Sequence, residues 1–417
     1  MFTTGTISRN TAILYLTNIL NVFASILLFS ILARYLGTSD FGKFSFVFAF
    51  MSIAQSIANF GLDLLLVREV ASDLKKATTT VGEILSLKVI ISLFLALCVG
   101  LGIRFAHLPP VTERIVLIFL PYILLSNISL TLWALGDGFQ RMEFRGFLTI
   151  IYYFTRTAIC WVILKKGESI TALFTNLLVF ETLFALANFL LAQKYFGRIK
   201  WKYNTIRAKH LLKVATPFAV STILWIIFTR VDILLLNFMR GETAVGFYSP
   251  SQKILAAVLL LPQAFCNAIY PRMSELYGKD PAALQRLYQR SITFLLTASL
   301  CIVVFTVLTG PFLITLIFGS RYGIAGKILQ IHIWMCPFYF VTSVILTIFS
   351  ASNRQYLITV VYIISGLLGF SVMISLVRYA GYFGCAWAMV ILSALLLIFS
   401  SLIFHGQRNK VFSLQQQ

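Results

Sequence analysis

Long apolar runs separated by short clusters of charge dominate this 417-residue chain. Hydrophobic residues make up 59% of the sequence and charged residues only 12%, a balance too apolar for a water-soluble domain of this size. Because about 20 apolar residues of helix cross a bilayer core, each run can be counted as one span. A β-barrel would show alternating segments of about ten residues, whereas the run 90–101 is apolar on every side. The sequence therefore predicts an all-α membrane protein.

The count predicts twelve transmembrane helices. They are expected at 11–33, 43–67, 84–104, 115–136, 146–164, 170–193, 215–239, 246–270, 290–317, 328–350, 356–378 and 382–404. Lysine and arginine gather in the segments after the even-numbered spans, and Lys88 is counted among these loop cations. By the positive-inside rule those segments and both termini are expected in the cytoplasm, with the first span retained in the chain. The net charge of +20 is thus attributed to topology, and no nucleic-acid partner is expected.

An internal repeat at an offset of 204 residues predicts that the chain is built from two halves. Residues 37–45 after span one match residues 241–249 after span seven in both glycines and the serine. The same register pairs Asp63 with Asn267. Since each half has an even number of spans, both begin on the same side of the membrane. We therefore expect two parallel six-helix lobes around a central cavity.

The segment between spans six and seven is rich in lysine and arginine and is the natural linker between the halves. The predicted domains are an N-terminal six-helix lobe at 1–194, a basic cytoplasmic linker at 195–213 and a C-terminal six-helix lobe at 214–417.

Polar and ionisable side chains inside the predicted spans are the candidate functional residues, because lipid offers them no hydrogen bonds. The ionisable ones are Asp63, Arg156, Glu181, Arg230, Asp232 and Lys253. Asn59 and Asp63 are four residues apart, which places them on one helical face. Two ion pairs are conceivable, Arg230 with Asp63 or Arg156 with Glu181. For any single residue, structural bonding between helices explains its presence as well as a functional role does.

Apart from Asp63, the ionisable residues inside the predicted spans are three cations, Arg156, Arg230 and Lys253, and two anions, Glu181 and Asp232. This excess of positive charge favours an anionic substrate, since phosphate groups in low-dielectric surroundings need arginine or lysine. Trp225 lies on the polar face of span seven and is a candidate for stacking on a sugar ring.

Catalytic and metal-binding motifs are missing from the sequence, so neither an enzyme nor a cofactor or metal is expected. The four histidines, at positions 107, 210, 332 and 405, lie near no suitable nucleophile in sequence. The six cysteines are scattered singly and are interpreted as apolar packing residues.

Five short motifs occur in a characteristic order along the chain. They are Arg34-Tyr35-Leu36-Gly37, Asp40-Phe41-Gly42, Arg68-Glu69-Val70-Ala71, Arg230-Val231-Asp232 and Ile317-Phe318-Gly319. Together they resemble the Wzx-type O-antigen flippases, which are polysaccharide transporters of the multidrug/oligosaccharidyl-lipid/polysaccharide exporter superfamily. The resemblance covers nearly the whole chain.

This resemblance implies a MATE-like fold in the bacterial inner membrane and alternating access. The implied substrate is an undecaprenyl-pyrophosphate-linked oligosaccharide, flipped from the cytoplasmic to the periplasmic leaflet, with a polysaccharide polymerase and a chain-length regulator as possible partners. Carried over by position, the substrate-binding residues are Arg230, Arg156, Lys253, Trp225, Asn59 and Asn267. The implied charge partners or ion-coupling sites are Asp63, Asp232 and Glu181.

Two other functions stay open. A drug or organic-cation antiporter of the same superfamily predicts an acidic cavity. A membrane-embedded polysaccharide polymerase or sugar transferase would usually carry a large loop with catalytic residues, and the loops here are short.

Overall fold

The computed structural model describes residues 4–412 of the chain, with side chains from 16 to 408 and at 411 and 412. Within that range the chain folds as α-helices joined by short turns. They are α1 (Thr4–Tyr35), α2 (Thr38–Asn59), α3 (Leu62–Ser72), α4 (Ala77–Gly102), α5 (Pro110–Phe119), α6 (Tyr122–Gly138), α7 (Met142–Lys165), α8 (Ile170–Phe196), α9 (Thr205–Arg240), α10 (Glu242–Val258), α11 (Leu260–Leu276), α12 (Pro281–Phe318), α13 (Gly323–His332), α14 (Met335–Ala351) and α15 (Gln355–Val411). The prediction of an all-α membrane protein is confirmed.

The number of membrane spans also agrees with the sequence. In the described residues, ten helical segments are long and apolar enough to cross a membrane, and α13 with α14, bent by 47°, pass the same test together, which gives eleven when the bent pair is counted as one span. Helix α15 is interrupted at Gly381, whose backbone (φ 55, ψ −128) is not helical, so α15 contains two spans. The total is then the predicted twelve, and the chain is a multi-pass membrane protein.

Four of the predicted spans are each broken into two helices. Three breaks have a proline in them or just beyond them: Pro121 lies within its break, and Pro262 and Pro337 lie in the first turn of the helix that follows. Proline has no N–H to bond the carbonyl four residues earlier, which falls in each case at or just before the break. The fourth break, between α2 and α3, has Phe60 and Gly61 in the left-handed region, with φ of 48 and 67.

The internal repeat is visible in the order and spacing of the helices. The first residues of α2 and α10 lie 204 positions apart, as do those of α4 and α12. From α5 onward the spacing becomes 213, which relates α5 to α13, α6 to α14 and α7 to the start of α15. The chain therefore repeats one helical framework, with nine more residues in the second copy between the starts of α12 and α13.

Internal contacts divide the chain into an N-terminal unit that ends at Arg230 and a C-terminal unit that begins at Val231. The division falls within α9, and the domain boundaries expected at 194 and 213 stay a prediction. In the N-terminal unit an apolar core joins α3, α4, α6, α8 and α9. A second, aromatic core consists of Phe44, Phe48, Phe119 and Phe174, whose neighbouring ring centroids lie 4.5 to 5.7 Å apart.

The basic segment between α8 and α9 is held against the N-terminal unit. The Lys200 amide donates a 3.1 Å hydrogen bond to the carbonyl of Thr78 at the start of α4. Arg207, in the first turn of α9, contacts Glu69 at 2.5 Å and Glu83 at 3.3 Å. A Cβ atom at Gly82 would lie 2.0 Å from the Lys200 carbonyl oxygen. Glycine at position 82 therefore allows this segment to approach α4.

We expect Gly82→Ala to displace the segment from α4 and to lower the free energy of unfolding by about 1–3 kcal/mol, as overpacking does. Thermal unfolding in detergent and trypsin cleavage after Lys200 and Lys202 would measure the two effects. Gly102→Ala is the matched control, because it lies on the same helix and its added Cβ meets nothing within 4 Å. Equal stability and equal trypsin resistance of the two variants would contradict the prediction.

Candidate functional site

Asn59 and Asp63 lie on either side of the break between α2 and α3. Asn59 is the last residue of α2, and Asp63 lies in the first turn of α3. The expectation of one continuous polar face is therefore wrong, because the helix ends between them. At the break, a Cβ on Gly61 would lie 2.6 Å from the backbone nitrogen of Ala219 in α9, so α9 packs directly on the interruption.

Asp63 belongs to a buried ionic network in the N-terminal unit. The Lys88 ammonium on α4 donates to Asp63 Oδ1 at 2.6 Å and to the Thr131 hydroxyl on α6 at 2.7 Å. Thr131 itself contacts the same carboxylate oxygen at 2.9 Å. The Lys88 side chain is 1% exposed and that of Asp63 is 15% exposed. The network thus ties the broken span to α4 and α6.

The expectation that Lys88 is a loop cation that sets topology is wrong. Lys88 is buried inside α4. The sequence held a signal, since Lys88 falls within the predicted span 84–104 and lies between Leu87 and Val89. The structure pairs Asp63 with Lys88, whereas the sequence suggested Arg230 as a conceivable partner of Asp63.

A second buried network surrounds Arg156 in the same unit. Arg156 donates to the Tyr152 hydroxyl at 3.3 Å, and that hydroxyl donates to Glu181 on α8. The guanidinium also lies over the Phe48 ring, 4.2 Å from its centroid. Arg156 is 7% exposed and Glu181 is 3% exposed. Arg156 and Glu181 therefore belong to one network, but the Tyr152 hydroxyl bridges them and the expected direct ion pair is not formed.

The C-terminal unit contains a third polar network, and all of its side chains are fully buried. The Tyr248 hydroxyl on α10 donates to Asp232 Oδ2 at 2.8 Å. The same hydroxyl lies 3.4 Å from His332 Nε2, and His332 Nδ1 lies 3.4 Å from the Ser251 hydroxyl. The Tyr248 and His332 rings stack with centroids 5.3 Å apart. We call these four side chains the Asp232 network.

His332 is a member of this network that the predicted site residues do not include, because no nucleophile lies near it in sequence. It falls within the predicted span 328–350, and a histidine in a span was the available signal. The Cys385 thiol contributes a 3.7 Å contact to the Asp232 backbone carbonyl. Among the residues that the structure describes, no three His, Cys, Asp or Glu side chains are grouped to hold a metal ion.

The other predicted site residues are more accessible. Arg230 and Trp225 on α9 and Lys253 on α10 are all partly buried, and Asn267 on α11 is exposed. Trp225 stacks on Phe228, with centroids 6.3 Å apart and ring planes 11° apart. Roles for these residues in substrate binding stay predictions.

Comparison with known families gives two matches. The sequence model of the family described as polysaccharide biosynthesis protein matches residues 7–277. A second family model, MatE, matches residues 217–374. A protein named "Putative O-antigen transporter", from Shigella dysenteriae, is 26% identical over 392 residues, which cover 92% of this chain and 95% of that protein.

Solved structures with low sequence identity share the fold. An inward-facing multidrug resistance MATE family transporter of the MOP superfamily superposes with a TM-score of 0.77 at 16% identity, covering 95% of this chain and 96% of that chain. The lipid II flippase MurJ, in an inward closed conformation, gives a TM-score of 0.77 at 15% identity, covering 97% of this chain and 88% of that chain. The expected MATE-like fold is confirmed.

Proposed function

Because this chain belongs to the polysaccharide biosynthesis protein family, we propose that it moves a lipid-linked oligosaccharide across the membrane that it spans. The family match over residues 7–277 is the observation that carries the proposal. It is supported by the nearly full-length similarity to a protein named as an O-antigen transporter. The fold shared with a lipid II flippase is compatible with the same activity.

The substrate in this proposal is an undecaprenyl-pyrophosphate-linked repeat unit of O-antigen or another surface polysaccharide. The protein flips it from the cytoplasmic to the periplasmic leaflet of the bacterial inner membrane by alternating access. A sugar headgroup cannot cross unaided, because each polar group left without a hydrogen bond in hydrocarbon costs several kcal/mol. The polyprenyl tail stays in lipid during the step.

Arg230 and Lys253 are the cations that we assign to the pyrophosphate. Each lies in a span and is partly exposed, so a ligand can reach it. Trp225, Asn59 and Asn267 are assigned to the sugars. Arg156 was expected to bind substrate as well, but its burial, its contacts with Tyr152 and Phe48, and its link through Tyr152 to Glu181 favour a role in holding α2, α7 and α8 together.

Membrane topology, the two lobes and the partner proteins belong to the same proposal. We place both termini in the cytoplasm because of the distribution of lysine and arginine among the loops. Two six-helix lobes at 1–194 and 214–417, joined by the basic linker, are supported by the repeated helix order. A polysaccharide polymerase and a chain-length regulator would act on the exported unit after it is flipped.

A drug or cation antiporter is the second candidate, since the MatE family model matches residues 217–374. The charge of the spans argues against it. A cationic drug would be repelled by the partly exposed Arg230 and Lys253, whereas a pyrophosphate would be attracted by them.

Complementation of a deletion strain tests both candidates. We expect the wild type to restore surface polysaccharide and to clear lipid-linked repeat units from the cytoplasmic leaflet. Arg230→Ala should reduce export by about 10–100-fold, because a charge-assisted hydrogen bond contributes about 1.5–3 kcal/mol. Arg230→Lys should retain part of the activity, since the charge remains and the planar fork is lost.

Arg286→Ala is the matched control, because Arg286 is an exposed arginine near the start of α12. Full export by Arg230→Ala would remove Arg230 from the binding site. Unchanged polysaccharide in the deletion strain, together with altered drug sensitivity, would replace the proposed function by the antiporter.

A further inference from the structure

A groove of about 310 Å³ lies between α7 and α8 in the N-terminal unit, and none of its lining residues belongs to the three buried networks. It lies where α7 begins and α8 ends, which are neighbours because the two helices pack antiparallel. On the α7 side, Arg141, Phe144 and Leu148 line it at spacings of three and four, which places them on one helical face. On the α8 side, Leu191 and Tyr195 line it at a spacing of four. The groove therefore follows the helix axes from the membrane surface into the spans.

The lining of the groove changes from charged to apolar along its length. Arg141 directly precedes α7 and Glu143 lies in its first turn, so both charges stand at the membrane-surface end. Leu148 lies seven residues beyond Arg141, which is about 10 Å along the axis at 1.5 Å per residue. Between them the Phe144 ring packs edge-on against the Tyr195 ring, with centroids 5.9 Å apart. The groove thus has a charged mouth and an apolar interior.

The two charges at the mouth have opposite signs and no protein partner. Arg141 and Glu143 are exposed, and neither forms an ion pair within the part of the chain that the structure describes. Arg145, on the same turn of α7, differs in this respect, because it is paired with Asp137 at 2.7 Å. The guanidinium of Arg141 and the carboxylate of Glu143 can therefore both bind a ligand that carries an anion and a cation.

The apolar part of the groove opens toward lipid. Phe147 also lines it and is 66% exposed. It begins a stripe along α7 that continues with Ile151 and Phe154, each 38% exposed. Residues at this spacing share one helical face, and an exposed stripe of aromatic and aliphatic side chains in a span contacts hydrocarbon. An acyl chain that enters the groove therefore comes from the surrounding bilayer without crossing water.

We propose that this groove is a binding site for a zwitterionic phospholipid whose headgroup ends in a primary ammonium, namely phosphatidylethanolamine. The lipid phosphate accepts hydrogen bonds from the Arg141 guanidinium, and the lipid ammonium donates to the Glu143 carboxylate. The first part of one acyl chain lies against Phe144, Leu148 and Leu191. The groove lies beside the basic segment between α8 and α9, so the proposed topology puts this lipid in the cytoplasmic leaflet.

The Glu143 carboxylate distinguishes this lipid from an acidic one. An acidic phospholipid or a polyprenyl pyrophosphate would be attracted by Arg141 but repelled by Glu143. A phosphocholine headgroup has no N–H group and cannot donate a hydrogen bond to Glu143. The exposed cations Lys194 and Arg198 add positive charge at the end of α8, but they do not line the groove. A headgroup with a phosphate and an ammonium is therefore the one that satisfies both charges of the lining.

Native mass spectrometry of the purified full-length protein tests this preference, with added phospholipids that share the same palmitoyl and oleoyl chains. We expect the wild type to bind phosphatidylethanolamine about three- to tenfold more tightly than phosphatidylglycerol, the effect of one ion pair at a partly exposed position. Glu143→Gln should lose this preference, because an amide lacks the charge that attracts the ammonium. Arg141→Gln should weaken the binding of both lipids by a similar factor, since both contain the phosphate.

Glu168→Gln and Arg104→Gln are the matched controls, because both residues are exposed and lie outside the groove. They should bind both lipids as the wild type does. Since the four substituted residues are all exposed, each variant should keep the thermal midpoint of the wild type when no lipid is added. A phosphatidylethanolamine with a photoactivatable diazirine in its acyl chain gives a second readout. In the wild type it should label the segments 144–148 and 191–196.

The outcomes decide the occupant of the groove. Equal affinity of the wild type for the two lipids, or an unchanged preference in Glu143→Gln, would contradict the proposal. Tighter binding of phosphatidylglycerol that depends on Arg141 alone would assign the groove to acidic lipids and overturn it. Labelling confined to other segments would show that the acyl chain does not enter the groove. These measurements need no transport substrate, so failure of the proposed function in the complementation experiment would leave the lipid site standing.

Discussion

Asp63→Ala is expected to lower the free energy of unfolding by about 3–5 kcal/mol, because the Lys88 ammonium would remain buried without its carboxylate. Lys88 is 1% exposed, so water cannot replace the lost partner. Thr131 would still accept one hydrogen bond from the Lys88 ammonium, but a hydroxyl does not neutralise the charge of Lys88. Chemical unfolding in detergent, followed by tryptophan fluorescence, would measure the change.

The double variant Asp63→Ala with Lys88→Met should recover most of the lost stability. Removing a whole buried ion pair is often neutral, whereas removing one partner is not. Glu275→Ala is the control for an exposed pair: Glu275 and Arg272 are 2.6 Å apart and more than half exposed. Such a pair contributes about 0–1 kcal/mol. An Asp63→Ala variant no less stable than Glu275→Ala would show that the Lys88 pair does not hold the broken span.

Arg156→Met should lower the free energy of unfolding by a similar amount, about 3–5 kcal/mol, since it leaves Glu181 buried without a cation nearby. The Tyr152 hydroxyl would still donate to Glu181, but the cation over Phe48 would be gone. The thermal midpoint in detergent and the yield of folded protein would both fall.

A double variant, Arg156→Met with Glu181→Gln, separates structure from transport. If Arg156 holds the N-terminal unit together, the double variant should regain both stability and polysaccharide export. If Arg156 binds the pyrophosphate, stability should return while export stays low. We expect the first result, because Arg156 is 7% exposed and is in contact with Tyr152 and Phe48.

The number and type of spans could be predicted because membrane insertion depends on average apolarity over about 20 residues, which a sequence displays directly. The repeat could be found because the glycines at 37 and 42 recur at 241 and 246, and Gly37 and Gly241 both stand at the start of a helix, α2 and α10. The breaks within spans were missed, although Pro121, Pro262 and Pro337 were visible signals for three of them. The break at Phe60 and Gly61 also depends on the close approach of α9, which no local pattern reveals.

The charged site residues could be named in advance because a charge inside an apolar run is conspicuous. Their partners could not, since pairing depends on tertiary contacts between residues distant in sequence. Asp63 and Lys88 are 25 positions apart, and Tyr152 and Glu181 are 29 apart. His332 and Lys88 both lie inside predicted spans. Their roles were missed because His332 has no nucleophile near it in sequence and Lys88 follows a cluster of loop cations.

The family that the motifs resembled is confirmed by the match over residues 7–277. The motifs succeeded because several short patterns in a fixed order are together specific. They identify a framework and its general activity. They do not assign a role to an individual side chain, so the binding roles of Arg230, Lys253 and Trp225 depend on the experiments above.

The length of helix α12 bears on the thickness of membrane that this protein can match. Its apolar part from Ser291 to Phe318 would be about 42 Å long at 1.5 Å per residue, against a hydrocarbon layer of about 30 Å. The helix must tilt, bend or thicken the bilayer locally, and Pro311 within it weakens the backbone where a bend can form. A helix with such surplus length can stay matched to thicker bilayers by tilting less.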